Sequence, residues 1–289
     1  MLQSILVPLS VHVLGTLRAN DCTSLERILT LTDEGFGSFF LDNCHKLVEI
    51  RSLKSLQSAA RLHMRGCNNL SPAFRESVLQ MMCEVGSGSI FLPGSEIPNW
   101  FSHQTNEGCS ICLPRREIRS YFVPTVGWWS YQTMASLISF RVPSFWDGKI
   151  GKMLLCVVFA ANKETPRDLS RVCNFKWSLR NKTRTNQMDF SIGSPPARFF
   201  GSCEDHIFVQ GTGDHQMFGL EMKSGDEIEV SVAFESLSMD RSEELKGEIQ
   251  VKKCGIHLPV NEPSVMDTSV EFSVCELGFP IYAGYNELI

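Results

Sequence analysis

Catalysis or metal binding needs histidine, cysteine and acidic side chains at spacings that let them converge, and the chain carries seven histidines and eleven cysteines. His12, His45, His63, His103, His206, His215 and His257 are scattered; none forms H-E-x-x-H, and no G-x-S-x-G elbow occurs. Cys109-x-x-Cys112 is the tight cysteine pair outside a recurring pattern described below. Residues three apart on a strand face opposite sides, so this pair reads as core packing rather than a metal site. Asp205-His206 and Asp214-His215 set an acid beside an imidazole without an identifiable nucleophile, and they read as turn residues. Asn181-Lys-Thr183 is a formal glycosylation sequon. No phosphate loop or other cofactor fingerprint is present, so the expectation is a protein with no catalytic residues, metal or cofactor.

The remaining thiols recur at a fixed period. Leu17-Arg18-Ala19-Asn20-Asp-Cys22-Thr-Ser-Leu25, Phe39-Phe40-Leu41-Asp42-Asn-Cys44-His-Lys-Leu47 and Leu62-His63-Met64-Arg65-Gly-Cys67-Asn-Asn-Leu70 share apolar residues at three offsets around each cysteine. A period in the low twenties with L-x-L-x-x-C-x-x-L is the signature of leucine-rich repeats, in which each unit lays down one short strand and buries its apolar face against a neighbour. Arg18, Asn20, Phe40, Asp42, His63 and Arg65 stand between the inward positions and are expected on the concave strand face, where such repeats bind partners. Ser71-Pro72 starts a helix over 72–85, with Phe74, Val78, Met81, Met82 and Val85 on one side and Gly86 as its stop. That helix is expected to close the end of the repeats, and Gly86-Ser-Gly88-Ser to form a hinge.

Only Pro8 and Pro72 of thirteen prolines precede residue 90, and from there the apolar period becomes two. Phe175, Trp177 and Leu179 alternate with polar residues, as do Ile228, Val230, Val232 and Phe234; Met153 to Ala161 is a continuous apolar run that reads as a central strand. Phe218, Leu220 and Met222 lead through Lys223-Ser-Gly225-Asp as if into a hairpin, and Gly255 marks an expected bulge. The expected fold is therefore a short leucine-rich-repeat segment over 1–87, an all-β sandwich over 88–260 and a tail over 261–289.

A net charge of −5 argues against a nucleic-acid partner held by phosphate neutralisation. The apolar start is broken by Ser4, Pro8, Ser10 and His12, short of the roughly eighteen apolar residues a spanning helix requires, so no membrane partner is expected. An odd number of dispersed cysteines fits a reducing compartment, hence a cytoplasmic or nuclear location. Residues 149–190 hold nine basic against three acidic residues and 202–250 hold three against twelve, which leaves either solvated faces or a field that steers a charged protein. Trp128, Trp129 and Tyr131 are either core residues or an exposed aromatic platform, for a protein partner or, in an alternative reading, for carbohydrate.

Phe91-Leu-Pro93-Gly94-Ser-Glu-Ile97-Pro98-Asn-Trp100-Phe101-Ser-His-Gln104, with Gly108-Cys-Ser110-Ile-Cys-Leu113-Pro114, resembles the opening strands of the C-terminal jelly-roll and Ig-like domain of plant TIR-type nucleotide-binding leucine-rich-repeat immune receptors. Val251-Lys-Lys-Cys254-Gly255-Ile256-His257-Leu258 resembles the closing strand of that domain, and the cysteine-containing units resemble the family's last repeats. The resemblance implies recognition of a pathogen effector protein by the repeats and the sandwich together, in concert with TIR and nucleotide-binding domains of a full-length receptor. It also implies that Trp100 and Phe101 are packing residues.

Overall fold

A computed structural model describes residues 3–7, 15–30, 37–51, 56, 61–105, 111–112, 116–119, 127–142, 152–161, 172–184, 192–193, 197–198, 204–212, 222–238 and 249–258. Contacts divide the chain into one unit through Pro259 and a second over Val260–Ile289; the second, which holds the expected tail, lies outside the described residues. The described fold is mostly β-sheet with one helix, consistent with the expected all-β sandwich.

The first segment consists of β1 (Ser4–Val7), β2 (Thr16–Arg18), β3 (Arg27–Thr30), β4 (Ser38–Phe40), β5 (Glu49–Arg51) and β6 (Arg61–His63), followed by α1 (Pro72–Val85). Strands β2, β4 and β6 pair in parallel, with Leu17, Phe39 and Leu62 in one register row and Arg18, Phe40 and His63 in the next. A second parallel ladder, β1–β3–β5, runs beside the first. The repeated apolar residues stabilise this geometry: Phe39, Leu41, Leu47, Leu62, Met64 and Leu70 are all buried in one apolar cluster. The thiols of Cys44 and Cys67 donate to the Ala19 and Leu41 carbonyls, each at 3.0 Å, so the recurring cysteine satisfies a buried carbonyl of the unit before it. The residue ahead of each cysteine turns the chain through left-handed backbone, with φ of 60° at Asp21, 62° at Asn43 and 70° at Gly66. Asp, Asn and Gly are the residue types that adopt this conformation most readily.

Helix α1 begins as Ser71-Pro72 dictates. The Ser71 hydroxyl accepts from Phe74 N at 3.2 Å, Pro72 opens the first turn, and Gly86, at φ 67°, donates its N–H to the Met82 carbonyl. Its apolar face packs over the strands that follow. Gly86 to Ser89 form no hinge: Gly86 is the helix cap, and the next strand starts at Ser87.

That strand is β7 (Ser87–Pro93), succeeded by β8 (His103–Thr105), β9 (Ile111–Cys112), β10 (Arg116–Arg119), β11 (Gly127–Arg141), β12 (Leu154–Ala161), β13 (Val172–Asn181), β14 (Ile192–Gly193), β15 (Ala197–Arg198), β16 (His206–Thr212), β17 (Glu227–Ser238) and β18 (Ile249–His257). Strand β7 adds in parallel to β6, so one eight-stranded sheet, β2-β4-β6-β7-β16-β12-β18-β8, joins the repeated units to the later strands. A seven-stranded antiparallel sheet carries the path β10-β11-β17-β13-β14. The two sheets share a core in which Phe91, Val157, Phe159 and Phe208 of the first meet Phe175, Trp177, Val230 and Val232 of the second. The opposite face of the eight-stranded sheet, with Ile90, Cys156, Val158 and Val209, packs against α1 and the repeated units. Covered on both faces, β12 is the central strand that its unbroken apolar run predicts.

Two local expectations need correction. Strand β17 pairs with β11 along one edge and β13 along the other, so no strand from 218–222 forms a hairpin with it; 218–221 lie outside the described residues. Lys223 to Asp226 instead make a β-turn closed by Asp226 N–H on the Lys223 carbonyl, with Gly225 at φ 84° in the third position. The bulge in β18 falls at Lys252, between the Val158–Lys253 and Phe159–Val251 pairs, and not at Gly255. Gly255 is needed because a Cβ there would lie 2.9 Å from Ile97 Cγ2 and 3.1 Å from Phe101 Cδ1.

The turn before β17 is fastened by a buried carboxylate. Asp226 Oδ2 accepts from Asn181 Nδ2 at 2.8 Å, Arg184 Nε at 2.9 Å and Lys223 N at 2.9 Å. Burial raises the Asp226 carboxyl, but these hydrogen bonds and the Arg184 charge outweigh it and hold the group below its usual value. A carboxyl lowered on folding adds stability above its unfolded pKa, about 3.9, that is lost as pH falls through the lower folded value. Asp226→Asn is expected to cost about 2 kcal/mol at pH 7. A series of melts from neutral to acid pH should show a shallower fall below about pH 4 in the variant than in the parent chain.

Candidate partner-binding face

In-register pairing places Arg18, Phe40, His63 and Phe91 in one row across β2, β4, β6 and β7, and Phe208 of β16 continues it. The Arg18 guanidinium lies over the Phe40 ring at 4.6 Å. Phe40 and His63 meet edge to face at 4.7 Å, as do His63 and Phe91 at 4.8 Å, while Phe91 and Phe208 lie tilted by 30° with ring centres 4.5 Å apart. The row thus begins exposed at Arg18, is partly exposed at Phe40, and enters the core at His63 and Phe91.

A polar ladder runs alongside. Asn20 Oδ1 accepts from Asp42 N at 3.0 Å, and Asp42 Oδ1 accepts from Arg65 N at 2.9 Å. Arg65 closes onto the same carboxylate through Nε at 3.1 Å and Nη2 at 2.5 Å, and its guanidinium lies 5.6 Å from the Phe91 ring centre. Side chains at one repeat position therefore satisfy backbone donors of the next unit.

Of the six repeat residues expected to face a partner, Arg18 and Asn20 are exposed, Phe40 and Arg65 are partly exposed, and Asp42 and His63 are buried. Asp42 and His63 accordingly build the face and do not lie open on it. Burial lowers the His63 imidazole to about 4; the nearby Asp42 opposes this, and Arg65, Arg61 and Arg18 reinforce it, so the ring is neutral at pH 7. His63 Nε2 has no hydrogen-bond partner among the described residues, and neither do His206 Nε2, Ser89 Oγ, Gln210 Oε1 and Trp177 Nε1. His206, expected in a turn, opens β16 instead and is buried. Its Nδ1–H donates to the Glu204 carbonyl at 2.7 Å, and burial, only partly offset by that bond, lowers its basicity.

Arg61 and Phe91 complete the surroundings of His63 and were not read from the sequence as part of this face. Arg61 stands two residues before His63 on β6, the same-face spacing that marked the other positions and a usable signal. Phe91 had no such signal, because α1 intervenes between β6 and β7.

The other features separate. Trp128, Trp129 and Tyr131 lie on β11, where Trp128 pairs with Ile118, Trp129 with Glu117 and Ser238, and Tyr131 with Ser236; their side chains lie outside the described residues. The basic segment 149–190 and the acidic segment 202–250 meet here: Lys182 Nζ lies 3.1 Å from Glu227 and 3.0 Å from Glu229, and Arg180 stands opposite Glu229 in register. Strands β13 and β17 thus neutralise each other in part. Asn181, the sequon residue, is buried, with its Oδ1 accepting from Thr183 N and Arg184 N. Cys112 sits on β9 opposite Thr133, while Cys109 and Asp214-His215 lie outside the described residues. Phe101 is buried and Trp100 packs on it at 4.6 Å, beside His257 at 5.0 Å.

Among the described residues, no group of three or more His, Cys, Asp or Glu is placed to hold a metal ion, and no helix is long and apolar enough to cross a membrane. Neither a family model nor a curated protein matches the sequence.

Proposed function

We propose that the chain is a protein-recognition module, the last leucine-rich repeats and C-terminal jelly-roll and Ig-like domain of a plant TIR-type immune receptor, which binds a pathogen effector protein in the cytoplasm or nucleus. Its action is binding without catalysis, and its readout passes to TIR and nucleotide-binding domains. The observation that carries this reading is the row from Arg18 through Phe40 to His63, which leaves a cation and an aromatic ring open at one end and anchors them in the core at the other. Parallel pairing of strands whose sequences repeat L-x-L-x-x-C supports repeats of the leucine-rich type. Rigid elements that hold an Arg and an aromatic side chain at fixed spacing are suited to specific protein contact, since such residues dominate interface energetics.

The test is retention of secreted pathogen proteins by the purified full chain, beside Arg18→Glu and Phe40→Ala. One such protein should be retained and its affinity should fall by about tenfold or more in each variant. Retention of none, or retention indifferent to both changes, overturns the reading, as does selective binding to a glycan array.

A further inference from the structure

We infer that the seam joining the repeated units to the two-layered body is an acid-sensitive joint, in which proton uptake by His63 and His206 loosens the pairing of β6 with β7. This holds whatever partner the chain binds. Pairing across the seam is short: β6 and β7 share three residue pairs, Arg61–Ser89, Leu62–Ile90 and His63–Phe91, whereas β7 and β16 share seven. The Met64 N–H, bonded to the Phe91 carbonyl at 2.9 Å, closes the end of it. His63 stands on β6 opposite Phe91, and His206 on β16 opposite Pro93. The two histidines therefore flank the same end of β7.

Neither ring is placed to carry a charge. His63 is 3% exposed and His206 5%, and Nε2 of each is without a hydrogen-bond partner among the described residues. A protonated imidazole is a donor at both nitrogens, so each cation would hold a buried N–H with no acceptor. Aromatic rings pack against both: His63 lies between Phe40 and Phe91, and His206 lies on Phe159 with ring centres 5.8 Å apart. The charges that reach His63 are Asp42, which favours a proton, and Arg65, Arg61 and Arg18, which oppose one. At His206, Glu204 and Asp42 favour the proton and Arg65 opposes it, while the Glu204 carbonyl accepts from Nδ1. Asp205, next in the chain, is engaged by Lys252; Arg75 of α1 ends on the Pro93 carbonyl at 3.5 Å, and β7 itself carries no charged residue. Burial outweighs the favourable groups at both rings and takes His63 down to about 4. In an open seam water reaches the rings, and they return toward the ordinary value of about 6.5. A histidine lowered in the closed form stabilises that form above its open-state value, and this stabilisation is lost as pH falls toward the lower one. Between pH 7 and pH 5, His63 alone should raise the open population about twentyfold, and His206 acts in the same direction. Ordinary carboxylates titrate below that window, which separates the joint from the effect of Asp226.

Hydrogen exchange of the purified full chain, corrected for the intrinsic effect of pH on amide exchange, provides the test. Protection of the amides in 61–64, Met64 above all, should fall about twentyfold or more from pH 7 to pH 5. Residues 228–232, in the other sheet, should stay better protected than 61–64 by about tenfold or more at both pH values, since the joint opens without the whole chain unfolding. His63→Phe keeps a ring between Phe40 and Phe91 and should reduce the fall by about tenfold. Imidazole carbon resonances of the parent chain report each ring directly and need no variant: His63 and His206 should both titrate below the ordinary histidine value. A His63 or His206 ring that titrates at about 6.5 or above overturns the inference. So does protection of 61–64 that is the same at pH 7 and pH 5, protection equal to that of 228–232, or a folded His63→Phe chain that keeps the whole fall.

Discussion

Gly211→Ala is expected to be among the most destabilising single-methyl changes in the molecule, with a cost of about 3 kcal/mol. Gly211 lies on β16 opposite Gly88 of β7, next to the end of α1. A Cβ there would sit 2.5 Å from both C and O of Gly86 and 2.7 Å from Ser87 N. All three are main-chain atoms. No side-chain rotation relieves the contact, so β16 must retreat from the helix cap or the cap must open. Either movement strains bonds on which the sheet junction depends: Gly86 N–H on the Met82 carbonyl at 2.8 Å, Thr212 N–H on the Met153 carbonyl at 3.0 Å, and Met153 N–H on the Thr212 hydroxyl at 3.1 Å. Gly225→Ala is the informative comparison. A Cβ at Gly225 meets nothing within 4 Å, so its penalty comes from the positive φ alone and should be about 1 kcal/mol. Urea unfolding of the two variants beside the parent chain measures both costs. A Gly211→Ala chain within about 0.5 kcal/mol of the parent would mean that the helix cap and β16 are not held against each other.

Local pattern made part of this fold legible. Burial of Leu41, Cys44, Leu47 and their counterparts follows from offsets that recur with the period, and Ser71-Pro72 marks where the helix starts. Alternation in 175–179 and 228–232 marks which side chains enter the core, because side-chain direction along a strand is set by its neighbours in sequence. Pairing is another matter. Strand β17 takes β11 and β13 as partners from far along the chain, and nothing in its own alternation names them. For the same reason the basic and acidic blocks looked like separate surfaces until register set Arg180 against Glu229. Gly255 shows a related limit: its glycine is required by Ile97 and Phe101, which arrive over the sheet from a distant segment.

The face divides in the same way. Parity along β2, β4 and β6 places Arg18, Phe40 and His63 on one side, and this much is written in spacing. Which of them stays open depends on the strand beyond. Strand β7 pairs with β6 and brings Phe91 beside His63, and Phe208 and Phe159 extend the aromatic cluster behind it. His63 is consequently buried, while Arg18, two strands away, is not. Distance from the two-layered core, more than residue type, decides which repeat positions are available for contact.

Arg65→Ala is expected to destabilise the chain by about 3 kcal/mol, because it strands the Asp42 carboxylate in a site where water cannot take the place of the guanidinium. The side chains of Arg65 and Asp42 are only 12% and 11% exposed, so the pair is far from the screened surface bridges that add little. The arginine also lies on Phe91, adding apolar contact that its removal forfeits. Arg65→Lys should recover part of the loss at most, since one ammonium cannot reproduce contacts from Nε to Oδ1 and from Nη2 to Oδ2. Asp42→Ala removes the acceptor for the Arg65 main-chain N–H as well, and should cost a similar amount. The double variant leaves no uncompensated carboxylate, so its cost should fall short of the sum of the single costs by about 2 kcal/mol. Denaturant unfolding of the four chains in the cycle measures that coupling. Additivity to within about 0.5 kcal/mol would show that the two side chains do not act as a pair, and would remove the ladder through which the repeated units hold the Arg18 row in place.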